Sequence, residues 1–360
     1  MCNCEEMLRI AAEVVTITAQ AQEVPPITRQ IRSGVLAAIA WLALAPMVAA
    51  SQDADPALEG GTIPAHWLSE SSNCAEMPDF EVHQYNPDLY ILRQSPCANY
   101  EKPFLYLIFG QDRAMLLDTG ADSGILNPTI SRVIHHWLAR NGKPEIELVV
   151  THTHEHGDHI AGDTQIQQLD DPAIPVTFVA PGAEATSAFF GIADWPEDTA
   201  TIDLGERKLD VLPLPGHSAG SVAFYDRQTG ILFTGDSLYP GRIYVNDPVA
   251  LSSSIDRLAA FAASHKVTHV LGTHVEQSDT PFVDYPMGTV FQPDEHELAL
   301  SPGAILELQA AVAQMRQAPR RIALRDFSIW PMWEGAISEE EWAAVGAYME
   351  AQEREKRGAR

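Results

Sequence analysis

The chain has 360 residues, enough for one large domain or two ordinary ones, with 46% hydrophobic and 20% charged residues, the proportions of a globular protein with a sizeable core. Its formal net charge is −26 at pH 7. That argues against nucleic acid or an anionic membrane surface as the main partner, since both favour Lys and Arg.

The first distinctive segment is "RQIRSGVLAAIAWLALAPMVAASQ". Arg29 and Arg32 precede an apolar run from Gly34 to Ala50, and Val48 and Ala50 fit the small-residue rule for cleavage. This reads as a secretory signal peptide over 29–50, cleaved near Ala50. The run is short for a membrane span of ~20 apolar residues, and Pro46 sits near its end. An uncleaved anchor and a buried helix are the alternatives. The expectation is export to the periplasm or beyond, with residues 1–50 set apart as extension plus signal; a start codon assigned too early is one explanation for the residues before the signal. Beyond the signal the cysteines are Cys74 and Cys97. An oxidising compartment invites one disulfide between them, and two buried thiols are the alternative.

Residues 51–79 read as a linker. From Phe80 the pattern turns strand-like: "FEVHQYN", "LYILRQ", "FLYLIFG" and "AMLLDTG" are short, apolar or alternating, and bounded by Asn, Pro, Gly or Asp. "NPTISRVIHHWLARNG" predicts a helix with Asn127 as N-cap, Pro128 in the first turn and Gly142 past the end. Then follow the strand "IELVV", the stretch "THTHEHGDH", a helix over "IAGDTQIQQL", the strand "PVTFVAP" and a short helix "AEATSAFFG". The second half repeats the scheme: strands "KLDVLPLP", "SVAFYD" and "GILFTGD", a helix "SSSIDRLAAFAASH" with serine at its start, and the strand "THVLGTH". The tail predicts a helix near 303–317, a strand "RIALRDFSIW" and an amphipathic helix from Ser338 bearing Trp342, Val345 and Tyr348. The organisation expected is a domain over 80–300, with 301–360 as a helix-strand-helix extension packing on it.

Four stretches place His or Asp just after a strand, beside glycine: "THTHEHGDH", "LPLPGHSAGS", "ILFTGDSL" and "HVLGTH". Such loops can converge at one sheet edge. In H-x-H, residues i and i+2 project to the same side of an extended loop, so His154 and His156 can hold one ion. Asp158 and His159 are adjacent, point differently and reach a second. His217 completes the first group, His274 the second, and Asp236 can bridge both with its two oxygens. Seven donors for two ions leave room for a water, the open arrangement of a catalytic site. His152 is out of register with this pattern and reads as a supporting or surface residue, and Glu155 as pointing away. Tyr239 and Tyr244, with Arg242 between them, follow Asp236 closely enough to touch substrate; a rigid loop with exposed side chains is the alternative.

His154-x-His156-x-Asp158-His159, His217, Asp236 and His274, in this order, resemble the metallo-β-lactamase-fold hydrolase superfamily over roughly 85–300. The resemblance implies an α/β fold, an αβ/βα four-layer sandwich of two mixed β-sheets flanked by helices, with a two-metal centre at one edge. Asp118 in "LLDTG" matches the family carboxylate that braces the metal loop. Aspartate at 236 resembles the glyoxalase II and lactonase-like branches; the best-known zinc β-lactamases carry cysteine there, which counts against β-lactam hydrolysis. The expected activity is that of a binuclear-zinc hydrolase. A metal-bridging hydroxide would cleave an ester, thioester, lactone or amide of a small molecule, with Asp158 orienting it and passing on its proton. Iron and manganese also suit imidazole and carboxylate. A mononuclear-iron sulfur oxygenase on the same fold is the alternative from another class.

Overall fold

The computed structural model describes residues 57–68, 74, 77–333, 336, 338–340, 343 and 347. The expected signal segment and the tail residues Trp342, Val345 and Tyr348 lie outside them. Contacts divide the chain into 1–53 and 54–360, and all described residues belong to the second unit.

The first sheet has the order β1-β2-β3-β4-β5-β6. Its strands are β1 (Phe80–Asn86), β2 (Leu89–Gln94), β3 (Phe104–Phe109), β4 (Arg113–Leu117), β5 (Glu147–Thr151) and β6 (Val176–Phe178). The first four run antiparallel, and β4, β5 and β6 are parallel. Helix α1 (Asn127–Asn141) makes the crossover from β4 to β5. Two short helices, α2 (Gly157–Ile160) and α3 (Asp163–Gln167), precede β6, and α4 (Ala183–Phe190) follows it.

The second sheet has the order β13-β12-β10-β9-β8-β7. Its strands are β7 (Ala200–Asp203), β8 (Lys208–Pro213), β9 (Val222–Asp226), β10 (Ile231–Gly235), β12 (His269–Gly272) and β13 (Ala299–Leu300). Here β10 and β12 form the parallel pair, joined through β11 (Arg242–Val245) and α5 (Pro248–Ser264). Helix α6 (Gly303–Gln317) follows, then β14 (Ile322–Ala323) and β15 (Ser328–Pro331). A third sheet, β11-β15-β14, was not expected from the sequence.

Side-chain alternation builds the four layers. On β3, Phe104, Tyr106 and Ile108 face the second sheet and join Val211, Phe224, Phe233 and Leu271. Leu105, Leu107 and Phe109 face the other way, onto Ile130, Ile134 and Trp137 of α1. On β10, Ile231 and Phe233 enter the space between the sheets, while Leu232 packs with Ile255, Leu258, Leu308 and Val312 of α5 and α6. A strand buried on both faces reads as a continuous apolar run, because period-two alternation has no polar side to show. Layers run α1, first sheet, second sheet, α5 with α6: the αβ/βα sandwich of two mixed sheets. Helix α6 packs with α5 and β10 through Leu308 and Val312, and β15 pairs with β11.

Local expectations differ at several ends. The N-cap of α1 is Leu126 with no side-chain cap, and Asn127 Nδ2 donates to the Gln165 carbonyl at 2.5 Å instead. Gly142 ends α1 in the left-handed region, as its type predicts. Helix α5 begins at Pro248, four residues before Ser252, because Asp247 caps it by accepting from Val249 N and Ala250 N. The single helix expected over 160–169 is two short ones, and the strand expected over 321–330 folds back as the β14–β15 hairpin.

Candidate metal centre

Parallel pairing sets the edge where the motifs meet. Leu117 of β4 lies opposite Thr151 of β5, so Asp118 and His152 leave the first sheet together. In the second sheet Gly235 pairs with Gly272, delivering Asp236 and His274 side by side. Val222 N donates to the Thr153 carbonyl at 2.8 Å and ties the two sheets at this edge. Gly235 is required there: its φ is +52°, and a Cβ would stand 2.6 Å from Thr153 Cβ.

The seven side chains expected to hold metal form two donor groups, each with its atoms within 4.8 Å of one another: His154, His156 and His217; and Asp158, His159, Asp236 and His274. In the first group His156 Nδ1 lies 3.0 Å from His154 Nε2 and 2.9 Å from His217 Nε2. In the second, Asp158 Oδ2 lies 3.1 Å from His274 Nε2 and 3.2 Å from His159 Nε2. Asp236 stands between. Its Oδ2 faces His217 Nε2 at 3.5 Å and His154 Nε2 at 3.9 Å; its Oδ1 faces His274 Nε2 at 3.4 Å and His159 Nε2 at 3.7 Å.

The outer ring nitrogens are committed elsewhere. His217 Nδ1 donates to the Tyr244 carbonyl at 2.9 Å and His274 Nδ1 to the Glu101 carbonyl at 3.0 Å. A carbonyl only accepts, so each Nδ1 carries a proton, and in the neutral ring the lone pair lies on Nε2, turned inward. Asp118 does the same for the other two. Its Oδ2 accepts from His159 Nδ1 at 2.9 Å and from Thr153 Oγ1 at 2.8 Å, and Thr153 Oγ1 in turn meets His154 Nδ1 at 3.2 Å. Thr153 N also donates to Asp118 Oδ1 at 2.7 Å. These bonds hold Asp118, fully buried, at φ +65°, a left-handed conformation that a non-glycine residue adopts only under such constraint.

The donor set fits divalent cations. A proton on His156 Nδ1 would satisfy one neighbouring lone pair and leave the other bare, whereas one cation satisfies all three nitrogens. Imidazole and carboxylate are the ligands that zinc takes.

The two groups differ in charge. Burial drives His154 well below its ordinary pKa, and the His159 charge adds to this. Burial also lowers His217, against the pull of Asp236. In the second group burial opposes charge but loses. The Asp158, Asp236 and Asp118 carboxylates carry His159 well above its ordinary value, and Asp236 with Asp158 pushes His274 up to about 9. Burial would raise Asp158 and Asp236, but the surrounding histidines hold both far below the usual carboxylate range.

A cleft of about 270 Å³ opens over both groups, lined by His156, Asp158, His217, Asp236 and His274 together with Glu101, Tyr239, Tyr244, Asn246, Glu276 and Met332. Tyr239 is buried and its hydroxyl donates to the Arg242 carbonyl; Arg242 is buried too, so the loop does not expose its side chains as the alternative supposed. Tyr244 is partly buried. His152 is buried outside both groups, with Nε2 on Asp163 Oδ1 at 2.8 Å. Glu155 also lies outside them, its Oε2 against Gly220. Thr153, Glu101 and Glu276 were missed. Thr153 sits inside the motif between two histidines, and its hydroxyl was the available signal. Glu101 and Glu276 carry none.

Residues 102–300 match the metallo-beta-lactamase superfamily, more than half of the chain. The chain belongs to that superfamily. Among its relatives, a hydroxyacylglutathione hydrolase of Synechococcus sp. (strain JA-3-3Ab) is 30% identical over 162 residues, 41% of this chain and 57% of the relative. Another, of Maricaulis maris (strain MCS10), is 30% identical over 173 residues, 47% of this chain and 61% of the relative. The chain thus spans less than two thirds of the length of either. A solved metallo-beta-lactamase from Hirschia baltica overlaps 66% of this chain and 98% of its own, at 16% identity and a TM-score of 0.43.

Proposed function

We propose that this superfamily member is a metal-dependent hydrolase with two divalent ions, zinc by donor chemistry, that cleaves an ester, thioester, lactone or amide of a small molecule. The observation that carries the reading is Asp236, with one oxygen turned to each of two complete donor groups. A mononuclear-iron oxygenase would use a single ion, and a binding protein with a vestigial site would lack a donor.

Bound divalent ions supply Lewis acidity and lower the pKa of water toward about 7. The chain supplies the rest. Nε2 of His154, His159, His217 and His274, Nδ1 of His156 and the Asp158 and Asp236 carboxylates would hold the ions. The Asp158 side chain, 24% exposed at the cleft, orients the attacking water and carries its proton toward the leaving atom. The walls of the cleft screen the reacting carbonyl from bulk solvent.

The names of the relatives make a hydroxyacyl thioester of glutathione the first substrate to try. Aspartate at 236, in place of the cysteine of the best-known zinc β-lactamases, weighs against β-lactams. The disulfide between Cys74 and Cys97 supports a working place outside the cytoplasm, in line with the signal-like segment over 29–50. The net charge of −26 speaks for a small-molecule substrate over a polyanion.

Elemental mass spectrometry combined with assays on a glutathione thioester, an acyl lactone and nitrocefin, before and after chelation, tests this. About two zinc per chain, with turnover that chelation abolishes and zinc restores, is the expected result. One iron without hydrolysis would move the protein to the oxygenase reading. No bound metal after reconstitution would overturn both.

A further inference from the structure

Resting on the hydrolase reading, we infer that the cavity beside the metal cleft is a subsite for a carboxylate carried by the substrate, and that the Lys102 ammonium is its counter-charge. The cavity holds about 300 Å³ and is bounded by Tyr100, Lys102, Thr289 and Gln292. It shares Glu101 and Glu276 with the cleft over the donor groups. A small molecule whose reacting carbonyl lies over those groups can therefore extend its other end into this cavity.

Charge singles out Lys102, which stands between β2 and β3 and is 3% exposed. The other buried cations nearby are paired. Arg93 donates to both oxygens of Glu295, and Arg242 donates to Glu276 with Asp284 Oδ2 3.6 Å from its Nη1. The Lys102 ammonium instead donates to two carbonyls, of Tyr100 at 2.9 Å and Thr289 at 3.0 Å, both residues of the cavity wall. Two of its three N–H donors are thereby used, and among the described residues no carboxylate is in contact with it. Burial lowers its pKa to about 7 and Arg93 adds to this, while Glu295, Glu276 and Glu101 oppose it from farther off. A buried charge is ordinarily paired, because carbonyl dipoles replace only part of the hydration that it gives up. The third N–H and the positive charge are left to the cavity, and an anion satisfies both.

Two further observations agree. Lys102 has φ +49°, in the left-handed region. Glycine takes that conformation without strain, so lysine there bears a backbone cost and places an ammonium in the cavity wall. Gln292, 2% exposed, lines the same cavity, and among the described residues its side-chain amide makes no hydrogen bond, with Oε1 buried. Its NH2 is a second donor for the wall to offer. One ammonium and one amide suit a carboxylate, which spreads a single charge over two oxygens; a phosphate of about two charges would meet only one cation.

The test uses the metal-loaded full chain and acetyl thioesters of mercaptopropionic and mercaptobutyric acid, each matched with the primary amide of the same thiol acid. Wild type should favour the acid over its amide by about tenfold or more in kcat/KM, mainly through KM. The ratio cancels the pH dependence of the metal centre, which both substrates share. Only the protonated amine attracts a carboxylate, so the ratio should fall as pH rises through about 7. Lys102→Met keeps an apolar stem without the charge and should bring the ratio to within about twofold of unity at unchanged metal content. Lys102→Arg keeps the charge and should hold the ratio up to about pH 8.5. Gln292→Leu should lower it about threefold. Equal kcat/KM for acid and amide in wild type would overturn the subsite and leave the hydrolase reading standing. So would a ratio that is constant between about pH 6 and 8.5, or one that survives Lys102→Met, since the metal ions would then be what attracts the acid. The wild-type ratio and its pH profile decide without any variant should Lys102→Met not fold. Wild type that hydrolyses neither these thioesters nor any carbonyl substrate of the panel would instead remove the hydrolase reading, and this subsite with it.

Discussion

The two donor groups share Asp236 and lie at one sheet edge, yet they are built on different physics. The first is three imidazoles, and burial lowers His154 and His217, which favours their neutral form without any ion. The second encloses Asp158 with His159 and His274, and its histidines are raised by those carboxylates, His274 to about 9. Protons occupy the second group where an ion would sit. A cation entering the first group meets lone pairs; one entering the second displaces protons from a carboxylate-rich pocket. The lesson is that similar ligand counts give sites of unlike pH dependence, because charge and not number sets competition with protons.

The largest effect should come from the shared residue. Asp236→Ala removes a donor from both groups, and metal analysis should find at most one ion per chain with hydrolysis lower by about 10³-fold or more. Two ions retained with activity intact would mean that the groups are independent. Next, His217→Ala and His274→Ala should each reduce the metal content from about two ions to one, with hydrolysis falling about 100-fold. Loss of both ions from His217→Ala would show that the second group depends on the first.

Asp118→Asn sharpens the contrast at the level of support. The carboxylate touches His159 directly but reaches His154 only through the Thr153 hydroxyl. Zinc affinity should therefore fall about 10- to 100-fold in the second group and less in the first, read by competition with a chromophoric chelator. Equal losses would assign Thr153 a full share in orienting His154. The smallest effect is in the wild type itself. An ion must displace the proton of His274 below pH 9, so affinity of the second group should rise with pH between 6.5 and 8.5, by at most about tenfold per pH unit for each proton displaced. The first group, with His154 and His217 lowered by burial, should depend on pH less steeply over the upper part of that range. The same chelator competition measures both, and parallel slopes would abolish the distinction.

Much of the centre was legible in the chain. His154, His156, Asp158 and His159 lie within six residues, and a strand followed by a tight loop brings such neighbours to one point whatever the rest of the fold does. His217, Asp236 and His274 each follow an apolar run beside glycine, so each strand end advertised itself. The strands of both sheet cores were also plain, since β2, β3, β9 and β10 are buried throughout and carry apolar runs. Short edge elements were not. β7, β13 and the β11–β15 pairing bury too few residues to leave a pattern, and their existence depends on partners far away in sequence.

By itself, then, the sequence determined which side chains make up the two donor groups, because residue type and local spacing carry that information, and its motif order carried the resemblance to the superfamily and so to the layers. Tertiary structure alone decided which way the donors point and which partner each of two tyrosine hydroxyls meets. His217 and His274 are aimed by the backbone carbonyls of Tyr244 and Glu101, and a carbonyl belongs to every residue type, so nothing in the sequence marks it. Tyr239 and Tyr244 are the same residue five positions apart. Only the turn of Arg242 toward Glu276 and Tyr285 commits one hydroxyl to the interior and leaves the other to the cleft.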